Sequence, residues 1–209
     1  MNSYSVLLLG IGLGLRHATD ADHVVVVSAL VQREPGVWKA ARIAALWGVG
    51  HTAAFLAIGF FILLAGLRMP EIFEPLVDAL VGFMLVGFGL WHVLSHGTGN
   101  AKAPAHRSLR GDARPIAIGV VHGLAGSAGI ALLAATTIDS RATAAGYLLL
   151  FGAGTIAGMV ALTVLIARPL SWAMQRGATF RRWLIVGAGG ASMALGASIL
   201  VATFVEMSR

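Results

Sequence analysis

The sequence predicts an all-α fold, a polytopic transmembrane helical bundle of six spans. Three observations carry that prediction. Of the 209 residues, 57% are hydrophobic and only 11% are charged, against about 25% charged in ordinary soluble domains. Apolar stretches long enough to cross a bilayer, about 20 residues each, recur six times along the chain. These stretches are continuous, whereas a membrane barrel would show alternating segments of about ten residues. A soluble core at this length could not hide so much apolar surface. The chain contains no cysteine, so thiolate metal sites, iron–sulfur clusters and catalytic thiols are excluded. Residues 1–209 read as a single transmembrane domain.

The six expected spans run as follows. The first, Tyr4–Val31, has no basic n-region or small-residue cleavage site and carries charges within it, so it does not read as a removable signal peptide. The second, Ala40–Leu67, is rich in Ala, Leu and Phe and holds Trp47-Gly48-Val49-Gly50-His51. Ile72–Leu94 and Pro115–Ile138 are the third and fourth, separated by a basic, polar loop. Thr143–Ala167 and Trp183–Val205 complete the set. Glycine, 27 residues in all, suits close helix–helix approach in lipid.

The basic residues sort by loop. Arg33, Lys39 and Arg42 follow span one; Lys102, Arg107, Arg110 and Arg114 follow span three; Arg168, Arg176, Arg181 and Arg182 follow span five. Only Arg68, Arg141 and Arg209 fall on the other side. The positive-inside rule then puts the three basic loops in the cytoplasm and both termini outside, in a bacterial inner membrane. The net charge of +6 is thus a topology signal spread over three short loops rather than a nucleic-acid surface.

A weak internal repeat relates residues 1–100 to residues 110–209. His17 corresponds to His122, Trp47 to Phe151 and Val81 to Val186, at offsets of 104–105 residues. Three spans per half is an odd number, so the second half would be inverted relative to the first. Inverted repeats enclosing a polar site near the midplane are a recurring transporter plan.

The functional signal lies in Arg16-His17-Ala18-Thr19-Asp20-Ala21-Asp22-His23. Each ionised group in hydrocarbon costs at least about 2.5–3.5 kcal/mol on insertion scales. Such groups must face a cavity, pair with one another or bind an ion. On a regular helix, at about 100° per residue, His17, Asp20 and His23 share one face, available to one cation. Asp22 falls on the other side. It would fix an imidazole on a neighbouring helix, pair with a cation such as Arg16, or join through local unwinding. Mixed imidazole and carboxylate ligands suit borderline divalent metals such as Ni, Co, Zn, Mn or Fe. The alternative duty is a buried polar network or proton relay.

His51 in span two and His122 in span four are further candidate metal ligands. His92, His96 and His106, at the end of span three and beyond, are weaker candidates for a cytoplasmic hand-off point. The chain has no G-x-x-x-x-G-K-[ST] loop and no metalloprotease or nucleophile-elbow motif. It reads as no enzyme, with no tightly bound cofactor. Any transport must draw on a gradient or another subunit.

The segment from His17 to His23 resembles the HX4DH signature of the nickel/cobalt transporter family, and Leu46-Trp47-Gly48-Val49-Gly50-His51-Thr52 resembles that family's second conserved stretch. The resemblance is good over residues 10–65 and extends beyond them only in hydropathy and glycine content. It implies that His17, Asp22 and His23, then Asp20 and His51, recognise the metal. Most members have eight spans with the motif in the second. Here it falls in the first, with the same outside-to-inside direction. A later family motif carries carboxylates, whereas Gly123–Leu133 has none, and His122 is placed to substitute. The resemblance therefore implies a short, six-span relative. Its expected function is a permease for divalent transition-metal ions, nickel or cobalt first. The alternatives are a membrane-embedded metal-binding accessory protein of the urease-maturation type and a proton-coupled exporter. Its expected partners are the metal ion and the lipid bilayer, with a second copy of the chain or a metallochaperone as further candidates and nucleic acid excluded.

Overall fold

A computed structural model describes residues 2–31, 36–66, 73–96, 113–125, 129–175 and 177–208. Every regular element among them is a helix: α1 (Ser3–His17), α2 (Ala21–Val31), α3 (Val37–Ala65), α4 (Phe73–His96), α5 (Ala113–Ala125), α6 (Gly129–Thr136), α7 (Arg141–Met174) and α8 (Ala178–Met207). Four of them contain stretches long and apolar enough to cross a membrane: Val37–Ala65, Pro75–Leu94, Arg141–Leu170 and Arg182–Met207.

Of the predicted fourth span, α5 and α6 are the described parts. The predicted first span is divided into α1 and α2. The break has a local cause. Thr and Asp compete with the helical backbone for hydrogen bonds. Thr19 donates its hydroxyl to the Arg16 carbonyl, and the Asp20 carboxylate accepts from the His17 ring instead of continuing the helix. The turn is closed by the Thr19 and Asp20 amides on the carbonyls of Arg16 and His17. Asp22 then lies in the first turn of α2, where its charge complements the helix dipole.

The helices pack in definite pairs. Helix α3 lies against α7, α1 against α7, α5 against α3, and α4 against α8. Hydrogen bonds add to two of these contacts. Ser192 on α8 donates to the Leu85 carbonyl on α4 at 2.8 Å, and Thr52 on α3 donates to the Gly152 carbonyl on α7 at 3.4 Å. Large apolar side chains point outward along the bundle, among them Leu8, Phe61, Leu64, Leu165 and Val201, all exposed. That inverted surface suits a hydrocarbon solvent, since lipid tails solvate such side chains as well as a core does.

Glycine sets the α3–α5 distance. A Cβ on Gly119 would overlap the Trp47 carbonyl, and one on Gly123 would overlap the His51 carbonyl. Only hydrogen at these positions lets the two backbones touch, as small residues do in membrane interfaces. The consequence is local and functional: His122, between these two glycines in sequence, is brought against His51.

Candidate metal centre

Four imidazoles from four helices meet in the buried interior. His17 closes α1, His23 sits in the first turns of α2, His51 lies midway along α3, and His122 lies near the end of α5. All are buried, with His23 and His122 fully enclosed. Ring centroids are 4.4 Å apart for His17 and His23, 5.0 Å for His23 and His51, and 4.8 Å for His23 and His122. His23 is therefore the hub.

Two carboxylates orient the rings. His17 donates from Nδ1 to Asp20 Oδ2 at 2.8 Å, and His23 donates from Nδ1 to Asp22 Oδ1 at 3.1 Å. Each bond fixes the tautomer and makes Nε2 the lone-pair nitrogen of its ring, the arrangement that carboxylates impose on metal-binding histidines. The Nε2 of His17 is in hydrogen-bond contact with the Nε2 of His51 at 3.4 Å. The Nε2 of His23 is buried with no hydrogen-bond partner. One ligand atom from each of His17, His23 and His51 can be chosen so that all lie within 4.8 Å of one another. Buried polar atoms without partners are rare in native folds and call for an explanation such as a role in binding an ion.

A second group shares the hub. Asp22, His23 and His122 also offer ligand atoms within 4.8 Å of one another. His122 donates from Nε2 to Asp22 Oδ2 at 3.0 Å, and its Nδ1 is buried without a partner. Asp22 thus uses one oxygen for a ring on its own helix and the other for a ring on α5. Of the alternatives left open by the sequence, the geometry realises the one in which Asp22 fixes an imidazole on a neighbouring helix.

Aromatic walls enclose the cluster. The fully buried Trp47 ring lies 5.5 Å from His23 and 5.4 Å from His122, and Phe151 lies 5.3 Å from His17. These neighbours exclude water, and electrostatic interactions inside strengthen accordingly.

All six candidate ligands fall in this one region, though not on a single helical face. Asp20, expected beside His17 and His23 on a regular helix, lies in the break and turns to the far nitrogen of His17, with its side chain 45% exposed. His92 is buried and stacks on Phe88, outside both ligand groups. His106 and the side chain of His96 lie outside the described residues. Trp47 and Phe151 were not among the expected site residues. Their signals in the sequence are their correspondence in the weak repeat and, for Trp47, its place in the stretch that leads to His51.

Comparison with known proteins places this geometry in context. The chain is 33% identical to the urease accessory protein UreH of Bacillus sp. (strain TB-90) over 183 residues, which cover 82% of this chain and 80% of that one. The chain belongs to the UreH family. A more distant member of the comparison is the chloroplast protein FOR GROWTH AND FERTILITY 2 of Arabidopsis thaliana, 27% identical over 184 residues. The match covers 81% of this chain and about half, 49%, of that longer protein. No family model matches the chain, and no solved structure matches it. For this UreH-family chain, the all-helical architecture with long apolar helices describes a membrane protein.

Proposed function

We propose that this UreH-family protein is a membrane permease for a divalent transition-metal ion, with nickel first and cobalt second, and that it performs no catalysis. The observation that carries the reading is the buried group of His17, His23 and His51 beside a helix break, with two of its rings oriented by carboxylates. Imidazole donors suit Ni, Zn, Cu and Fe. Discontinuous helices mark the substrate sites of many transporters, because the break exposes polar groups at membrane depth. The ion sheds water to His17, His23 and His51 and moves on past His122, with Asp22 linking the two stations. Asp20 holds His17 in place from the more exposed side. The relative's name, a urease accessory protein, supports nickel as cargo, delivered to a second copy or a metallochaperone.

Six crossings are proposed as well, with α1 plus α2 as one interrupted span and α5 with α6 in another, all in a single domain, 1–209. The packing supports an inverted repeat of residues 1–100 and 110–209. Exchanging the halves carries the α1–α7 pair onto α5–α3 and returns α3–α7 and α4–α8 to themselves. The repeat-related residues His17 and His122 both join the cluster, and Trp47 and Phe151 both wall it. Exposed Trp38, Trp172 and Trp183 stand at helix ends next to Lys39, Arg168 and Arg182. An interfacial aromatic belt beside basic residues supports a cytoplasmic face there, with both termini outside a bacterial inner membrane.

Proteoliposomes test the reading. Purified protein reconstituted with radiolabelled nickel outside is expected to accumulate it, and His23→Ala to abolish accumulation at equal incorporation. The accessory name favours one second reading, binding without movement. Saturable nickel binding with no uptake in either orientation would establish that reading and overturn the permease.

A further inference from the structure

A cavity of about 490 Å3 opens between α2, α4 and α5. That volume lies in the range of small-molecule sites. Its lining is apolar over most of its length, with Val26, Met84, Phe88 and Val121 among the walls. Among the described residues that line it, the two ionisable ones are Arg114 and His122, both on α5. Arg114 stands in the first turn of α5, exposed, with its guanidinium 5.2 Å from the centre of the Trp91 ring. His122, two turns further along the helix, is fully buried and is the ring that donates to Asp22. The cavity therefore runs from a cation at a helix end down to the flank of the histidine cluster.

We infer that this cavity binds an anionic phospholipid, with an acyl chain along the apolar walls and the phosphate on Arg114. Several features argue for that occupant. The walls include outward-facing side chains such as Trp91 and Val121, both exposed, so the cavity opens to whatever solvates the bundle. A hydrated ion gains nothing from such walls, whereas a hydrocarbon chain matches them. A guanidinium recognises phosphate with two parallel donors. Arg114 is also held against an indole, the pairing typical of the headgroup level. A neutral lipid would fill the apolar part equally well, and charge complementarity at Arg114 selects the anionic one. The bound chain would seal the His122 side of the cluster against the bilayer. Lipid binding is read out without any metal and stands or falls apart from the permease reading.

The test is native mass spectrometry of the full-length protein in detergent, titrated with phosphatidylglycerol and with phosphatidylcholine of the same acyl chains. The wild type is expected to retain phosphatidylglycerol preferentially. Arg114→Gln is expected to lower that preference about fivefold, the effect of one basic residue at a membrane surface. Gly87→Leu places a side chain where a Cβ meets nothing within 4 Å, and is expected to weaken retention of both lipids by filling the cavity. Excess glycerol phosphate is expected to leave the bound lipid in place. Equal retention of the two lipids by the wild type, or an unchanged preference in Arg114→Gln, would overturn the proposal. So would undiminished retention in folded Gly87→Leu, or displacement by glycerol phosphate, which would mark a site for a soluble phosphate ester.

Discussion

The carboxylates Asp20 and Asp22 look alike in the sequence, but the structure gives them unequal work, and nickel affinity should report the difference. Asp22 accepts from His23 Nδ1 with one oxygen, at 3.1 Å, and from His122 Nε2 with the other, at 3.0 Å. Asparagine offers one acceptor, so Asp22→Asn sets an amide N–H against one of two ring N–H groups. The His23 ring is fully enclosed and cannot turn to water. Removing the partner that orients a ligating imidazole typically costs about 10–100-fold in metal affinity, or about 1.4–2.8 kcal/mol. Asp20 makes one such contact, to His17 Nδ1, and its side chain is 45% exposed. The amide oxygen of Asp20→Asn still accepts that bond, and water screens the lost charge, so its cost should stay below about tenfold. The assay is competition for nickel against a chromophoric chelator, with wild type and both variants in nanodiscs at matched folded fractions. An equal or larger loss in Asp20→Asn, or no loss in Asp22→Asn, would refute the orientation argument.

Further outcomes follow from the same geometry. His51→Ala removes one of the three grouped imidazoles, and nickel affinity should fall by more than the roughly 100-fold upper end of losses from outer partners, as measured by isothermal titration. Gly119→Ala forces a Cβ against the Trp47 carbonyl, and overpacking of this kind costs about 1–3 kcal/mol, read as a lower Tm together with weaker nickel binding. Ser192→Ala removes the bond to the Leu85 carbonyl between α8 and α4. It should cost only about 0.6 kcal/mol and leave nickel affinity unchanged.

How much of this was legible in the sequence depended on the range of the signal. Hydropathy marked the long apolar helices, because the bilayer demands continuous runs. It could not mark the break after His17, since Ala18, Thr19 and Asp20 are tolerated inside a helix. The break depends on a side-chain bond from His17 to Asp20. His17 and His23 lie side by side, although the regular helix face that suggested it is interrupted. The residue types of the site were readable because imidazoles and carboxylates in an apolar span need partners. Their division of labour was not. Nothing local says that Asp22 reaches a ring 100 positions away, or that Trp47 closes over both rings. Those facts depend on how closely α5 approaches α3, which Gly119 and Gly123 set through contacts distant in sequence.

The most direct test of the central claim is nickel K-edge X-ray absorption of the full-length protein loaded with one equivalent of nickel. Ligation by His17, His23 and His51 predicts the outer-shell scattering of about three imidazoles, reduced in His51→Ala. A shell of oxygen donors without imidazole scattering, or a spectrum unchanged by His51→Ala, would contradict it.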